Sequence, residues 1–126
     1  MSLCFVLDSS VWIELLNKGP LLKECTKVLK NAQRIIVPTL VLFEVYKKIA
    51  ACHTEDQALS AIALLSQHEV MDMTREIALA AADLSLQKRL AMADSIVLAH
   101  AQQSGAVLVT LDNDFVGISD TQVIRG

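Results

Sequence analysis

Glycine and proline are scarce, at four and two residues in 126, so long linkers and low-complexity disorder are excluded and continuous regular structure is favoured. No apolar run reaches the roughly 20 residues that a membrane-spanning helix needs. The longest stretch near Asp94 is broken by that residue and by His100. The N-terminus lacks the basic segment and small-residue cleavage site of a signal peptide, which implies a cytoplasmic protein with no membrane attachment. Cys4, Cys25 and Cys52 are odd in number, far apart and without a CxxC pair, a pattern of small core residues in a reducing compartment rather than of disulfides or structural zinc. His53, His68 and His100 have no His or Cys neighbour at ligand spacing. An excess of base is missing too. The net charge of −3 argues by itself against nucleic-acid binding.

Hydrophobic residues make up 53% of the chain, enough for a single compact domain over residues 1–126. The bases are unevenly spread, with Lys18, Lys23, Lys27, Lys30, Arg34, Lys47 and Lys48 all in the first half. If Asp8, Glu44, Asp94, Asp112 and Asp114 share one site, the remaining surface carries nine acids against 11 bases. Cations bound at such a site would also reverse the local field. Overall acidity therefore does not exclude an anionic substrate.

Leu3–Leu7 is an unbroken apolar run of strand length, typical of a strand covered on both faces, and it stops at Asp8. Ser9 or Ser10 opens a helix carrying Val11, Trp12, Leu15 and Leu16, which Lys18-Gly19-Pro20 ends. Pro20 to Asn31 is an amphipathic helix with Lys23, Lys27 and Lys30 outward, a solvated face or an RNA-backbone contact. Arg34–Val37 is a short strand, and Pro38 suits the first position of the helix through Ile49 that contains Glu44. A capping box at Thr54–Gln57 starts a helix to about Gln67; Glu69–Met73 is a strand, and Thr74 caps the next helix. The Asp94 helix ends at Gly105, Ala106–Val109 is a buried-type strand leading to Asp112 and Asp114, and Gln122–Ile124 is an edge strand.

Strands alternating with helices imply an α/β fold, three layers α/β/α around a mostly parallel sheet. Asp8 and Asp112 or Asp114 then lie at strand ends, where open α/β sheets build their crevices. Each acid also has a plain structural reading. Asp8 and Asp94 can cap helices, though Ser9 and Ser10 serve the first helix equally well, and Glu44 can pair with Lys48 at i,i+4. Converging carboxylates repel by roughly 4 kcal/mol per close pair at an effective dielectric of about 20, so they demand protons or a cation. Oxygen-only ligands favour Mg²⁺, with Mn²⁺ as a substitute. Such a cage suits phosphodiester hydrolysis, with Ser10 and Thr110 orienting water or a ligating carboxylate.

Leu7-Asp8-Ser9-Ser10-Val11-Trp12-Ile13 resembles the opening motif of PIN domains. Glu44 stands where that family has its helical glutamate, Met92–Ala99 resembles the third motif, and Thr110–Phe115 the fourth. In size the chain resembles the VapC-like toxins of toxin–antitoxin pairs, which are Mg²⁺-dependent ribonucleases. The resemblance implies that Asp8, Glu44, Asp94 and one or both of Asp112 and Asp114 ligate metal. It implies RNA as substrate, a homodimer, and an antitoxin partner that covers the groove. Dimer and antitoxin contacts would come from Val11–Leu16 and Leu21–Tyr46, with Trp12, Leu15, Leu16 and Phe43 as anchors unless core packing claims them. A haloacid-dehalogenase-type phosphotransferase would need Asp where Ser10 stands, and a response-regulator receiver would need an acidic pair and a later Lys that are lacking. A catalytically silent PIN-fold module, or a housekeeping RNA-processing nuclease, remains the alternative.

Overall fold

The computed structural model describes residues 3–125. Its elements run β1 (Cys4–Leu7), α1 (Ser9–Asn17), α2 (Leu22–Asn31), β2 (Arg34–Pro38), α3 (Thr39–Cys52) and α4 (Glu55–Leu65). They continue with β3 (Glu69–Met71), α5 (Arg75–Lys88), α6 (Met92–Gln103), β4 (Val107–Thr110), a 3-10 turn (Asn113–Phe115) and β5 (Thr121–Val123). The strands form one sheet in the order β3-β2-β1-β4-β5, and every pairing is parallel. Right-handed crossovers place α1 to α4 on one face and α5 and α6 on the other. The helix contacts agree: α1 meets α2 and α3, α3 meets α4, and α5 meets α6. The expected three-layer α/β/α architecture is therefore present.

The central strands are buried because both faces are covered. All of β1 is in the core, as are Ile35–Pro38 of β2 and Leu108–Thr110 of β4. Those apolar runs have no alternation because neither face meets water. Since all strands run the same way, their C-terminal ends share one edge of the sheet. Leu7 lies beside Val109 there, and the β1–β2–β4 centre is flanked by the starts of α1 and α3.

Local chemistry departs from the sequence reading in a few places. Pro38 closes β2 instead of opening α3: its φ of −60° and ψ of 142° are extended, a conformation the pyrrolidine ring permits equally well. The left-handed residue that ends α1 is Lys18, at φ 51°, not Gly19. Gly19 lies instead directly under the carboxylate of Glu14, which would have to move aside for a Cβ there. That carboxylate accepts the backbone N–H of Leu21 at 2.5 Å and pins the elbow leading into α2, which begins at Leu22, two residues later than the periodicity suggests. Gly105, at φ 63°, follows α6 in the expected left-handed position. The Thr54–Gln57 capping box is complete, and Thr74 caps α5. Trp12 belongs to the core at 1% exposure, whereas Phe43 is 60% exposed. No helix among the described residues is long and apolar enough to cross a membrane.

Candidate metal centre

Asp8 emerges where β1 gives way to α1. Its backbone N–H donates to the Val109 carbonyl at 2.9 Å, extending the β1–β4 ladder by one bond. Its side chain is buried and fully engaged. One oxygen accepts the Ser10 N–H at 2.6 Å, capping α1, and the other accepts the Thr110 hydroxyl at 2.5 Å. The expectation that a serine would cap this helix equally well is thus corrected: Asp8 is the cap, and the helix N-terminus favours its negative charge.

Thr110 is the hinge of the arrangement. Wholly buried, it donates its hydroxyl proton to Asp8 and accepts the Asp112 N–H at 3.0 Å. Ser10 works from the other side, its hydroxyl accepting the Leu111 N–H at 3.1 Å. The serine therefore steadies the turn after β4 and reaches Asp8 through its backbone N–H rather than its hydroxyl. Asp112 then accepts the Asp114 N–H at 2.9 Å, capping the 3-10 turn. This chain of bonds fixes both acids relative to Asp8 across some hundred residues of sequence.

Asp94 sits in the first turn of α6, but it does not cap it; that position is Ala91, which offers no side-chain bond. One carboxylate oxygen from each of Asp94, Asp112 and Asp114 lies within 4.8 Å of the others. At that separation and an effective dielectric of about 20, each ionised pair is unfavourable by about 3 kcal/mol. The Asp94 carboxyl is accordingly pushed up to about 6, by burial first and then by Asp112, Asp8 and Asp114. Glu44 is also raised, by burial and by Asp8 and Asp94, while Ser9 pulls the other way. The fold thus couples Asp8 and Glu44 to the tight Asp94–Asp112–Asp114 group without placing them inside it.

Among the described residues no base forms an ion pair with any of these acids. Among the described residues the single ion pair is Arg34–Glu69 at 2.7 Å, at the start of β2 and β3 and so at the opposite edge of the sheet. The Glu44–Lys48 pair that would have made Glu44 structural is not formed. Sequence reasoning missed Ser9, which lies 3.5 Å from Asp8 through its hydroxyl and also influences Glu44. The Asp-Ser-Ser run carries that signal, but the residue pattern allots Ser9 only a capping role and assigns the positioning role to Ser10. The donor set is all carboxylate oxygen, the set that suits a hard divalent cation such as Mg²⁺ or Mn²⁺.

A family model for the PIN domain matches residues 5–120, a span that includes all five acids. Among solved structures, a toxin–antitoxin complex from Klebsiella pneumoniae superposes with a TM-score of 0.79 at 23% identity, covering 94% of this chain and 95% of that one. Mycobacterium tuberculosis VapC20, described as a toxin that cleaves the sarcin–ricin loop, gives 0.78 at 18% identity over 97% and 99% of the two chains. VapBC2 from Rickettsia felis, bound to a DNA fragment from its promoter, gives 0.77 at 19% identity over 98% and 100%. At such identities these likenesses establish the fold alone. A search of curated proteins finds no match. With the family model spanning nearly the whole chain, the protein belongs to the PIN domain family.

Proposed function

We propose that this protein is a metal-dependent endoribonuclease that hydrolyses RNA phosphodiester bonds, and that it is the toxin of a toxin–antitoxin pair. One observation carries the catalytic part: Asp8, Glu44, Asp94, Asp112 and Asp114 lie towards one sheet edge, and among the described residues none of them is ion-paired to a base. Asp94, Asp112 and Asp114 would hold the ion directly, with Asp8 and Glu44 completing its surroundings. Bound Mg²⁺ or Mn²⁺ would lower the pKa of a water molecule and stabilise charge on the phosphate and the leaving oxygen. The chain's own residues do the positioning. Thr110 and Ser10 hold the turn bearing Asp112 and Asp114 against Asp8, so the acids are in place before a substrate arrives.

The likeness to VapC-type toxins and VapBC complexes supports an antitoxin partner; a homodimer and cytoplasmic residence complete the proposal. The silent-module alternative is less well supported, because every acid of the four motifs is present. Calorimetric titration with Mn²⁺ tests the reading together with cleavage of cellular RNA. Wild type should bind the ion and cut RNA, whereas Asp94→Asn and Asp8→Asn should lose both while remaining folded, and expression of Asp94→Asn should no longer arrest growth. Absence of Mn²⁺ binding to the wild type would instead favour a non-catalytic module.

A further inference from the structure

The aromatic complement is small, three Phe with one Trp and one Tyr, and most of it is packed away. Phe5, Phe115 and Trp12 are core residues at 9% exposure or less. Phe43 is left 60% exposed on α3, next in sequence to Glu44. One turn further along, the Lys47 ammonium lies 5.7 Å from the centre of the Phe43 ring. Lys47 forms no ion pair among the described residues. Both side chains line a groove of about 590 Å³ between α3 and α4, together with Leu42, Tyr46 and Ile62.

Resting on the nuclease reading above, we infer that Phe43 and Lys47 form a nucleotide-binding platform on the same helix as Glu44, with an unpaired base of the RNA stacked on the exposed part of the ring and a neighbouring phosphate held by the ammonium. Three physical points favour this occupant. Bases splayed out of a single strand bind by stacking on aromatic faces, which asks for an exposed, accessible ring. The carboxylate cluster repels a phosphate chain, so cations must stand close by to bring it in. Residues 43 and 44 are about 100° apart around a helix, so one short stretch of α3 presents an acid to the metal centre and a ring with its cation to the strand running past it.

The test is fluorescence anisotropy of a labelled, randomised 20-nucleotide RNA pool with Ca²⁺ present to limit cleavage, run alongside Mn²⁺ calorimetry. Phe43→Leu should weaken binding by roughly tenfold, the loss of one stacked base. Lys47→Gln should flatten the dependence of log Kd on log salt by about 0.7, the release of one counterion from a single strand. Phe43→Trp should retain binding, and its indole emission should be quenched by the RNA. Mn²⁺ affinity should be unchanged in all three. Equal RNA affinity in wild type and Phe43→Leu, with no quenching in Phe43→Trp, overturns the platform. Loss of antitoxin binding by Phe43→Leu with RNA affinity intact overturns it too, in favour of a protein-docking face. A wild type that binds neither RNA nor Mn²⁺ overturns the nuclease reading itself, and the platform with it.

Discussion

Replacing Asp94 by Asn should make the metal-free protein more stable while abolishing its chemistry. The Asp94 carboxyl is raised from its ordinary 3.8 to about 6 by burial and by Asp112, Asp8 and Asp114. A carboxylate whose folded pKa is raised binds more protons in the folded than in the unfolded state between those two values. Stability is therefore lost as pH climbs from about 4 to about 6 and stays lost above that range. The full shift corresponds to about 3 kcal/mol at neutral pH, and solvent screening of this half-buried group reduces it to about 1–2 kcal/mol. Asparagine keeps the shape and removes the charge, so Asp94→Asn should melt on the order of 3–8 °C above wild type in EDTA at pH 7.5. The gap should shrink as the pH approaches 4. Adding Mg²⁺ or Mn²⁺ should reverse the order, since the ion stabilises the wild type by binding the native state alone. Differential scanning calorimetry at two pH values, with and without metal, reads every part of this. An Asp94→Asn protein that melts below wild type in EDTA at pH 7.5 would show that Asp94 is satisfied internally and that the electrostatic reasoning fails.

Thr110→Val should remove a buried hydroxyl that serves two partners, leaving the Asp112 N–H and one Asp8 oxygen unpaired, at a cost of about 1–3 kcal/mol, whereas Thr110→Ser should retain most of the stability. Urea denaturation of the three proteins checks the stability, and weaker Mn²⁺ binding by the valine variant alone checks that the hydroxyl positions the acids. His100 is wholly buried with neither ring nitrogen hydrogen-bonded to another described residue, and burial lowers its pKa from the ordinary 6.5. The unfolded chain takes up that proton first, so stability contributed by the neutral ring is present above pH 6.5 and lost below it, by up to about 1 kcal/mol per pH unit. His100→Leu should be at least as stable as wild type at pH 7.5 and should gain on it at pH 5.5; equal pH dependence of the two proteins would refute this.

The strand ends were legible because a fully buried parallel strand is a short apolar run that stops abruptly, and in β1 and β4 the stop is an acid or a residue or two short of one. That pattern placed Asp8 and Asp112 at one edge before any coordinates. The parallel direction of the strands followed from their alternation with helices, whereas their order is set by which strands pair in the folded sheet. Asp94 was expected at the start of a helix facing the strand ends, but its closeness to Asp112 and Asp114 was not legible in the spacing, since it depends on where the first turn of α6 comes to rest against the turn after β4. Trp12 and Phe43 both occupy helix positions with helical apolar neighbours, yet one is in the core and the other exposed, because α4 and the sheet decide which side of α1 and α3 is covered. His100 carried no signal either. A lack of hydrogen-bond partners is a property of the surroundings, not of the residue. Lys18, not Gly19, takes the left-handed position after α1, a choice that a Lys-Gly pair does not reveal.

The acids are supplied by α3, by α6 and by the segments that follow β1 and β4, and β4, which brings the pair Asp112 and Asp114, slots in beside β1. Nothing resembling the assembled centre can exist in a polypeptide that stops short of Thr110. A cut anywhere between Asp8 and Thr110 consequently leaves Asp8 on a different fragment from the segment carrying Asp112 and Asp114. The parallel topology thus makes the centre depend on two segments that lie about a hundred residues apart in the chain and meet only when β4 pairs with β1.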